Sequence, residues 1–378
     1  MIPFLRLTPG DDRAAIEEAI RRVIDRGWFI LGPELEAFEQ EFAEAAGARH
    51  AIGVGNGTDA LSIALRAAGI GRGDEVITSP LSAAYTGLAI MMAGARPVFA
   101  DIDPDRLTLD PAAAAAAITR RTAAILPVHL YGQAADMPAI VQVAERHGVA
   151  IVEDCCQAHL ATCAGEPVGS FGAAGGYSFY PTKNLGALGD GGALTTNDDT
   201  VAARARRLRN GGQSERYTHA EFGVNSRLDE MQAAILRQRL RLLREATSRR
   251  RKLAAQYRAT LADVEGLTVP PELDPGHVYH LFPVLSDDRE ELQRHLRSHG
   301  VETLVHYPIP LPRQAAFASE APAQCPVADR VCDQVLSLPL YPHLEQSAIE
   351  QVSSVLRSFV RAASTGRSPG QGRDRQLS

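Results

Sequence analysis

The chain has 378 residues, of which 45% are hydrophobic and 22% charged, a composition typical of a globular protein with two or three domains. Its formal net charge of −6 disfavours a nucleic-acid-binding surface, and we find no apolar run of the roughly 18 residues that a membrane helix needs. The start, MIPFLRLTPG, lacks the apolar core of a signal peptide, and the five cysteines have no metal-ligand spacing, so we expect a cytoplasmic protein that holds no metal.

Helix and strand patterns alternate along the chain as far as Leu194. Apolar residues at helical spacing predict two helices, over residues 11–26 and 35–46. From residue 50 onward, short apolar runs predict strands, and a helical segment follows most of them. Because strands that alternate with helices pair in parallel, the sequence predicts an α/β fold with helices on both faces of its sheet.

The pattern changes after Leu194, where helical segments predominate. Residues 228–262 predict one long helix, and residues 278–285 and 302–308 predict strands. The last segment, STGRSPGQGRDRQLS, contains one apolar residue, so we expect it to be disordered. The expected units are a large domain with the N-terminal helices over residues 1–245, a smaller C-terminal α/β domain over 246–363, and a disordered tail over 364–378.

A glycine-rich turn, VGNGTDAL, follows the first strand. Gly57 and Thr58 stand at the start of a helix, where free backbone N–H groups and a hydroxyl form a site for phosphate. A purely structural helix cap is the alternative, since Thr and Asp are favoured there. A dinucleotide site is disfavoured, because Thr58 occupies the final glycine position of G-x-G-x-x-G and no acidic residue ends the next strand.

An aspartate ends the buried strand in VAIVEDC. Asp154 stands at the carboxyl end of that strand, which faces the ligand crevice in doubly wound sheets. A carboxylate at this place can hold the protonated ring nitrogen of a cofactor. A helix cap and an ion pair with an arginine are the alternatives, because a buried carboxylate needs a partner.

A single lysine lies in the segment YSFYPTKNLGALGDGGAL, between aromatic residues and glycines. A lysine whose pKa is lowered by desolvation can act as a nucleophile and form a Schiff base, which makes Lys183 a candidate catalytic residue. An ordinary loop lysine between two strands is the alternative.

Together, the phosphate turn, Asp154 and Lys183 resemble the DegT/DnrJ/EryC1/StrS family of sugar aminotransferases. The resemblance covers roughly residues 1–360, and these segments carry it: IPFLRL, GNGTDAL, PVHLYGQAADM, EDCCQAHLA, SFYPTKNLGALGDGGAL, GVNSRLDEMQAAIL, HYPIPL and LSLPLYPHL. It implies a pyridoxal 5′-phosphate enzyme of fold type I, which is aspartate-aminotransferase-like. In this fold a large domain contains a mostly parallel seven-stranded sheet, and a smaller α/β domain follows.

The resemblance also implies roles for individual residues. Lys183 would form the Schiff base with the cofactor and shuttle a proton, while Asp154 would keep the pyridine nitrogen protonated. Gln157 would contact the ring near its phenolic oxygen. The phosphate would be bound by Gly57, Thr58 and Ser178 of one subunit and by Asn225 of the other subunit of a homodimer.

The implied reaction moves an amino group from L-glutamate, the expected donor, to a nucleotide-linked keto-sugar. The segments HLYG and HYPIPL favour C3 of a dTDP-keto-6-deoxyhexose; amination at C4, an aminocyclitol enzyme of the scyllo-inosose type, and a non-catalytic regulator that binds the cofactor are the alternatives. His306 and Tyr307 are candidate substrate contacts, with strand-end packing as the alternative.

One segment departs from the family pattern. Members often carry an aromatic residue or a histidine against the cofactor ring, within the part that matches SPLSAAYTGLAI. The corresponding position here is Ala83, and Tyr85 lies two residues further on. Two residues along a helix point to different sides, so either Tyr85 takes that place through a loop or something smaller covers the ring face. Tyr85 is also a candidate substrate contact.

Overall fold

The computed structural model describes residues 1–318 and 324–366, with side chains up to residue 359. The strands of this part are β1 (His50–Val54), β2 (Glu75–Thr78), β3 (Arg96–Phe99), β4 (Thr122–Leu126), β5 (Ala150–Asp154), β6 (Thr162–Cys163), β7 (Glu166–Pro167), β8 (Ala174–Ser178), β9 (Gly192–Thr196), β10 (Gln213–Glu215), β11 (Thr218–His219), β12 (Phe282–Leu285) and β13 (Val335–Leu338).

Helices flank these strands over most of the chain. The α-helices are α1 (Arg13–Arg26), α2 (Pro33–Ala45), α3 (Gly57–Ala67), α4 (Ala84–Met92), α5 (Pro111–Ala116), α6 (Met137–His147), α7 (Asp199–Leu208), α8 (Glu230–Leu261), α9 (Arg289–Ser298), α10 (Pro326–Gln334) and α11 (Gln346–Gly366). Short 3₁₀ turns occur at Leu130–Gly132, Leu311–Arg313 and Ala315–Phe317.

In the described part of the chain, seven strands form the central sheet in the order β1-β9-β8-β5-β4-β2-β3. The strands from β8 to β3 pair in parallel, whereas β9 runs antiparallel to both β8 and β1. The predicted α/β fold with a mostly parallel seven-stranded sheet is therefore confirmed.

Alternating side chains of the strands supply two hydrophobic clusters, one on each face of the sheet. Ile52 of β1 and Val152 of β5 point to one face, where residues of α3, α4 and α7 cover them. Ala51 and Ile151, their neighbours, point to the other face and pack with α2, α6 and the first half of α8. The period of two along each strand thus places helices on both sides of the sheet.

The C-terminal part contains the antiparallel pair β12–β13 and a third hydrophobic cluster, to which α9, α11 and the second half of α8 contribute. The expected domain boundary after residue 245 falls inside α8, a continuous helix of 32 residues. Leu236 and Leu243 of this helix belong to the cluster under the sheet, whereas Leu253 and Tyr257 belong to the C-terminal cluster. The division into residues 1–245 and 246–363 stays a prediction.

The strand predicted over residues 302–308 is wrong. Only Leu304 pairs there, through two backbone hydrogen bonds with Ser337. Pairing does not continue past Leu304, and Pro308 and Pro310 further along have no N–H to donate to a ladder. The partner of β12 is instead β13, which the sequence pattern did not predict, and β12 itself begins at Phe282, later than the expected 278.

The end of the chain departs from expectation as well. Helix α11 continues to Gly366, beyond the expected domain end at residue 363, and residues 367–378 of the expected tail lie outside the described residues. Among the helices described, none is both long and apolar enough to cross a membrane.

Candidate active site

The predicted cofactor residues meet at one edge of the central sheet. Strands β1, β5 and β8 end there, with Asp154 and Ser178 as their last residues on β5 and β8. The antiparallel strand β9 begins at the same edge, because Gly192 pairs with both Val54 and Ser178. Helix α3 and the β8–β9 loop that carries Lys183 start from this edge, so the topology brings the three predicted elements together.

The start of α3 lies directly against the end of β8. A Cβ atom on Gly57 would lie 2.7 Å from Ser178 Cβ and 2.9 Å from Cys156 Sγ, closer than real side chains pack. Glycine is therefore required by the close approach rather than by its backbone angles. The approach places the Ser178 hydroxyl beside the first turn of α3, whose backbone N–H groups have no partner within the helix.

Side chains hold this first turn in place. Asn56 caps α3 by accepting the Asp59 N–H at 2.8 Å, and its own amide donates to the Asp59 carboxylate at 3.0 Å. The Ser226 hydroxyl donates to that carboxylate at 2.6 Å and accepts the Gly55 N–H at 2.9 Å. Asp59 is thus occupied in shaping the turn, which leaves the N–H groups of Gly57 and Thr58 for an anion.

The loop with Lys183 is anchored by Phe179. Its N–H donates to Gly191 O and its O accepts from Ala187 N, both at 2.7 Å. Its ring packs edge-on against Phe38 and Phe42 at centroid distances of 5.3 Å. Because Phe179 is buried in the core, the loop that follows has a fixed origin next to Ser178.

Lys183 is partly buried within this loop. Burial lowers the pKa of its amine below the usual value, and the adjacent Cys156 and Asp154 oppose the shift. Across residues 1–318 and 324–366, no hydrogen bond or salt bridge engages this amine. A lysine that is shielded from water and has no partner is available as a nucleophile and a base.

Asp154 is 4% exposed, and both of its carboxylate oxygens accept hydrogen bonds. One accepts the N–H of Cys156 at 3.1 Å, and the other accepts the hydroxyl of Thr86 at 2.7 Å. Neither partner is charged. The predicted alternative of an arginine ion pair is therefore wrong, because no salt bridge joins Asp154 to a cation in the described chain.

His159 belongs to the segment EDCCQAHLA but was not among the predicted site residues, and it lies in the core beneath this loop. Its ring packs between those of Tyr177 and Phe179, at centroid distances of 5.7 and 5.8 Å. Both ring nitrogens are buried and lack a hydrogen-bond partner among the described residues. Burial, with a contribution from the charge of Lys183, lowers the pKa of His159 to about 3, so the ring is neutral.

Two further histidines surround Lys183. Burial, and next the Lys183 charge, lower the pKa of His306 to about 4 and that of His280 well below its usual value. The Asn184 amide donates to Val278 O at 3.0 Å, and its oxygen lies 3.2 Å from His280 Nδ1. This arrangement assigns the His280 proton to Nδ1 and leaves Nε2 as an acceptor.

Gln157 connects two tyrosines beside Asp154. Its oxygen accepts the Tyr131 N–H at 2.8 Å, and its NH₂ group donates to the Tyr307 hydroxyl at 3.0 Å. The Tyr131 hydroxyl in turn donates to the carbonyl of His306. Gln157 therefore positions the Tyr307 side chain. Its amide group keeps one N–H and one oxygen lone pair for another contact.

The remaining predicted residues are placed as follows. Tyr85 is the second residue of α4 and is 64% exposed. Because α4 begins at Ala84, Tyr85 belongs to a helix and not to a loop, and Ala83 is its N-cap residue. Asn225 is exposed and its backbone pairs with Asn210.

The chain matches the DegT/DnrJ/EryC1/StrS aminotransferase family over residues 11–357. The chain belongs to this family. It is 47% identical over 365 residues to the dTDP-3-amino-3,4,6-trideoxy-alpha-D-glucose transaminase of Streptomyces venezuelae, which covers 95% of this chain and 96% of that protein. It is 43% identical over 359 residues to a UDP-2-acetamido-2-deoxy-3-oxo-D-glucuronate aminotransferase of Pseudomonas aeruginosa, covering 94% and 99% of the two chains.

The fold agrees with solved members of the family. The structure of S. venezuelae DesV in complex with a ketimine intermediate matches with a TM-score of 0.92 and 47% identity, covering 95% of this chain and 98% of that one. This aminotransferase is therefore a pyridoxal-phosphate-dependent sugar transaminase.

The site of this aminotransferase suits pyridoxal phosphate. Lys183 offers an amine without a partner, and Asp154 offers a buried carboxylate whose two hydrogen bonds leave further lone pairs. The first turn of α3 and the Ser178 hydroxyl meet where Gly57 lets them approach, which provides donors for a phosphate group. The donor set thus matches an aldehyde, a protonated ring nitrogen and a phosphate.

A second buried cluster, formed by His129, Glu153 and Cys155, resembles a metal site in its residue types. The Glu153 carboxylate, however, accepts backbone N–H groups of Gly169, Phe171 and Gly172 at 2.7 to 3.2 Å and lies 3.1 Å from His129 Nε2. The other nitrogen of His129 accepts the Ala135 N–H at 3.0 Å. Since other protein groups already engage the Glu153 carboxylate and both nitrogens of His129, these two residues are explained as part of a buried hydrogen-bond network.

Proposed function

We propose that this transaminase aminates C3 of a dTDP-linked keto-6-deoxyhexose, with L-glutamate as the amino donor. The observation that carries the proposal is the similarity over nearly the whole chain to a transaminase named for a dTDP-3-amino sugar, at 47% identity. The geometry at Lys183 and Asp154 supports the amine-transfer chemistry.

The residues of the chain have distinct tasks in this reaction. Bound pyridoxal phosphate supplies an aldehyde carbon that can carry the amine and a ring that withdraws electrons. Lys183 Nζ would hold the cofactor through its aldehyde and would move a proton to and from the amine-bearing carbon of the substrate. The lowered pKa of Lys183 increases the fraction of amine that can accept that proton at neutral pH.

Asp154 would hold a proton on the ring nitrogen of the cofactor through a charged hydrogen bond. The first turn of α3, with Gly57, Thr58 and Ser178, would hold the phosphate group. The Gln157 amide donates a hydrogen bond to the Tyr307 hydroxyl at 3.0 Å. We expect the sugar of the substrate to pack against Tyr307 and His306. Tyr85, exposed at the start of α4, is a further candidate for this sugar contact.

A UDP-linked 3-keto sugar is the second candidate substrate. The Pseudomonas aeruginosa relative, named for such a substrate, is 43% identical and covers 94% of this chain. Amination at C4 and of aminocyclitols stay alternatives without a specific structural observation in their favour.

We also propose a homodimer in which Asn225 reaches the phosphate site of the partner. Large apolar side chains are left exposed on the single chain, among them Trp28 at 54%, Tyr217 at 80% and Phe222 at 85%. Exposed aromatic residues of this kind are typical of surfaces that pair with another chain. The five free cysteines suit the reducing cytoplasm, which we propose as the compartment.

A substrate panel tests the proposed function. The purified protein is incubated with L-glutamate and with dTDP- and UDP-linked 3-keto and 4-keto sugars and scyllo-inosose, and products are identified by mass spectrometry and NMR. We expect amination at C3 of the dTDP sugar. Lys183→Ala should remove all product while the circular dichroism spectrum is unchanged. Product from another substrate alone would contradict the assignment.

A further inference from the structure

A chain of two hydroxyl groups leads from helix α4 to Asp154. Ser82 Oγ lies 2.8 Å from Thr86 Oγ1, and Thr86 Oγ1 lies 2.7 Å from Asp154 Oδ2. Thr86 is 2% exposed and Ser82 is 3% exposed, so water does not compete for these bonds. The hydroxyls therefore form a fixed connection between α4 and the carboxylate at the end of β5.

The direction of each bond follows from the chemistry of the groups. An ionised carboxylate can only accept hydrogen bonds, so Thr86 must donate its single hydroxyl proton to Asp154. The Thr86 oxygen can then only accept from Ser82, which makes Ser82 the donor of the second bond. Successive hydroxyl bonds that point the same way polarise and strengthen one another.

This use of a helical threonine differs from the common one. A threonine inside a helix usually satisfies its hydroxyl at a carbonyl of the preceding turn. Thr86 instead reaches across to strand β5, to a residue 68 positions away in sequence. The segment with Ser82 and Thr86 is also the one in which the family pattern has an aromatic residue or a histidine, and in which this chain has Ala83.

We propose that Thr86, supported by Ser82, is a positioning residue that holds the Asp154 carboxylate in the orientation that binds the protonated ring nitrogen of the cofactor. The inference rests on the proposed role of Asp154. With Thr86 and the Cys156 N–H each fixing one oxygen, the carboxylate cannot rotate, and its remaining lone pairs keep one direction. A charged hydrogen bond depends on such alignment.

The test compares two ligands that differ at the ring nitrogen. Equilibrium binding to apoenzyme is measured by fluorescence titration for pyridoxal phosphate and for its 1-deaza analogue, in which carbon replaces that nitrogen. The preference is the ratio of the two dissociation constants. We expect wild type to prefer pyridoxal phosphate, and Thr86→Val to reduce the preference about tenfold. Thr86→Ser, which keeps the hydroxyl, should restore it.

Two further variants complete the design. Ser82→Ala leaves the Thr86–Asp154 bond in place and should reduce the preference by a smaller factor, about two- to threefold. Thr108→Val is the matched control, because Thr108 is equally buried, lies between β3 and α5, and its hydroxyl has no partner in the described chain. This control should leave both dissociation constants at the wild-type values.

The outcomes separate the inference from the proposed function. If Thr86→Val weakens the binding of both ligands by the same factor, Thr86 contributes only to the packing of α4, and the inference is overturned. If wild type itself shows no preference, the proposed role of Asp154 fails together with the inference. Should Thr86→Val not fold, Ser82→Ala decides the question, and a preference unchanged in that variant overturns the inference.

Discussion

Gly57 at the start of α3 and Ser178 at the end of β8 approach so closely that a Cβ atom on Gly57 would lie 2.7 Å from Ser178 Cβ. The contact joins the two donors that we assign to the phosphate of the cofactor. It also fixes the distance between a helix start and a strand end that lie far apart in sequence. Displacing the start of α3 or the end of β8 is therefore expected to weaken phosphate binding more than it lowers the stability of the fold.

We therefore predict that Gly57→Ala raises the dissociation constant for pyridoxal phosphate about tenfold or more, because the new methyl group forces α3 away from Ser178. Absorbance titration of the apoenzyme measures this. Gly71→Ala is the matched control, since a Cβ there meets only Ala93 O at an ordinary 3.5 Å. Equal affinity in the two variants would show that the close approach does not shape the phosphate site.

Asp154→Asn should bind the cofactor but transfer amine about 100-fold more slowly, or worse. The amide keeps the shape of the side chain but cannot form a charged pair with a protonated ring nitrogen. Rapid mixing with L-glutamate measures the first half-reaction directly. Asp190→Asn, an exposed change on the Lys183 loop, serves as the control. A rate near that of wild type in Asp154→Asn would mean that another group protonates the ring.

Mixed dimers test the proposed sharing of the site. A dimer of one Lys183→Ala chain and one Asn225→Ala chain contains one site with both residues intact, if Asn225 acts on the partner's site. Random assortment of equal amounts should therefore restore about a quarter of wild-type activity. The two variants are co-expressed with different tags and assayed with L-glutamate. Activity no higher than that of the parent variants would place Asn225 outside the partner's site.

His277 should make the protein less stable in acid. Burial, with Arg258 and Arg251, lowers the pKa of His277 to about 3 in the folded chain. Between that value and the ordinary histidine pKa of about 6.5, the unfolded chain binds the proton and the folded chain does not. The free energy of unfolding therefore falls as the pH falls through this window, by up to about 1.4 kcal/mol per pH unit.

The replacement His277→Asn removes this contribution. Its amide oxygen can accept the Tyr279 N–H, which His277 Nδ1 accepts at 3.0 Å. Urea unfolding at pH 7.5, 6.5 and 5.5, at fixed protein concentration, should give a shallower pH dependence than wild type. His147→Asn, on the surface, controls for the loss of a histidine as such. A slope as steep as that of wild type in His277→Asn would contradict the prediction.

The sequence was informative wherever function depends on the end of a regular element. Asp154 could be placed because an apolar strand ends at it, and Gly57 because a strand, glycines and a helix follow one another. Parallel strands bring such ends to one edge, so their proximity needs no knowledge of the rest of the chain. Lys183 could be placed beside them because its segment lies between two strands of the same sheet.

Contacts between distant segments left no comparable signal. Thr86 looks like any polar residue in an apolar helix, and nothing in its neighbours indicates that its hydroxyl meets β5. His159 and His280 are single histidines in apolar stretches, and they flank Lys183 only because the chain folds that way. The false strand at residues 302–308 has a similar cause, since β-branched residues predicted it while the pairing available there ends after Leu304.

Helix α8 affects how this enzyme could be recombined with its relatives. Arg250, buried in its second half, donates hydrogen bonds to the carbonyls of Tyr279, His280 and Leu340, while its first half packs beneath the sheet. A chimaera joined after Leu261, where the helix ends, would separate Arg250, Leu253 and Tyr257 from the C-terminal neighbours that they contact. A junction near residue 245, inside the helix, would keep each half of α8 with the neighbours to which it is adapted, and would be the better place to exchange the C-terminal region between relatives.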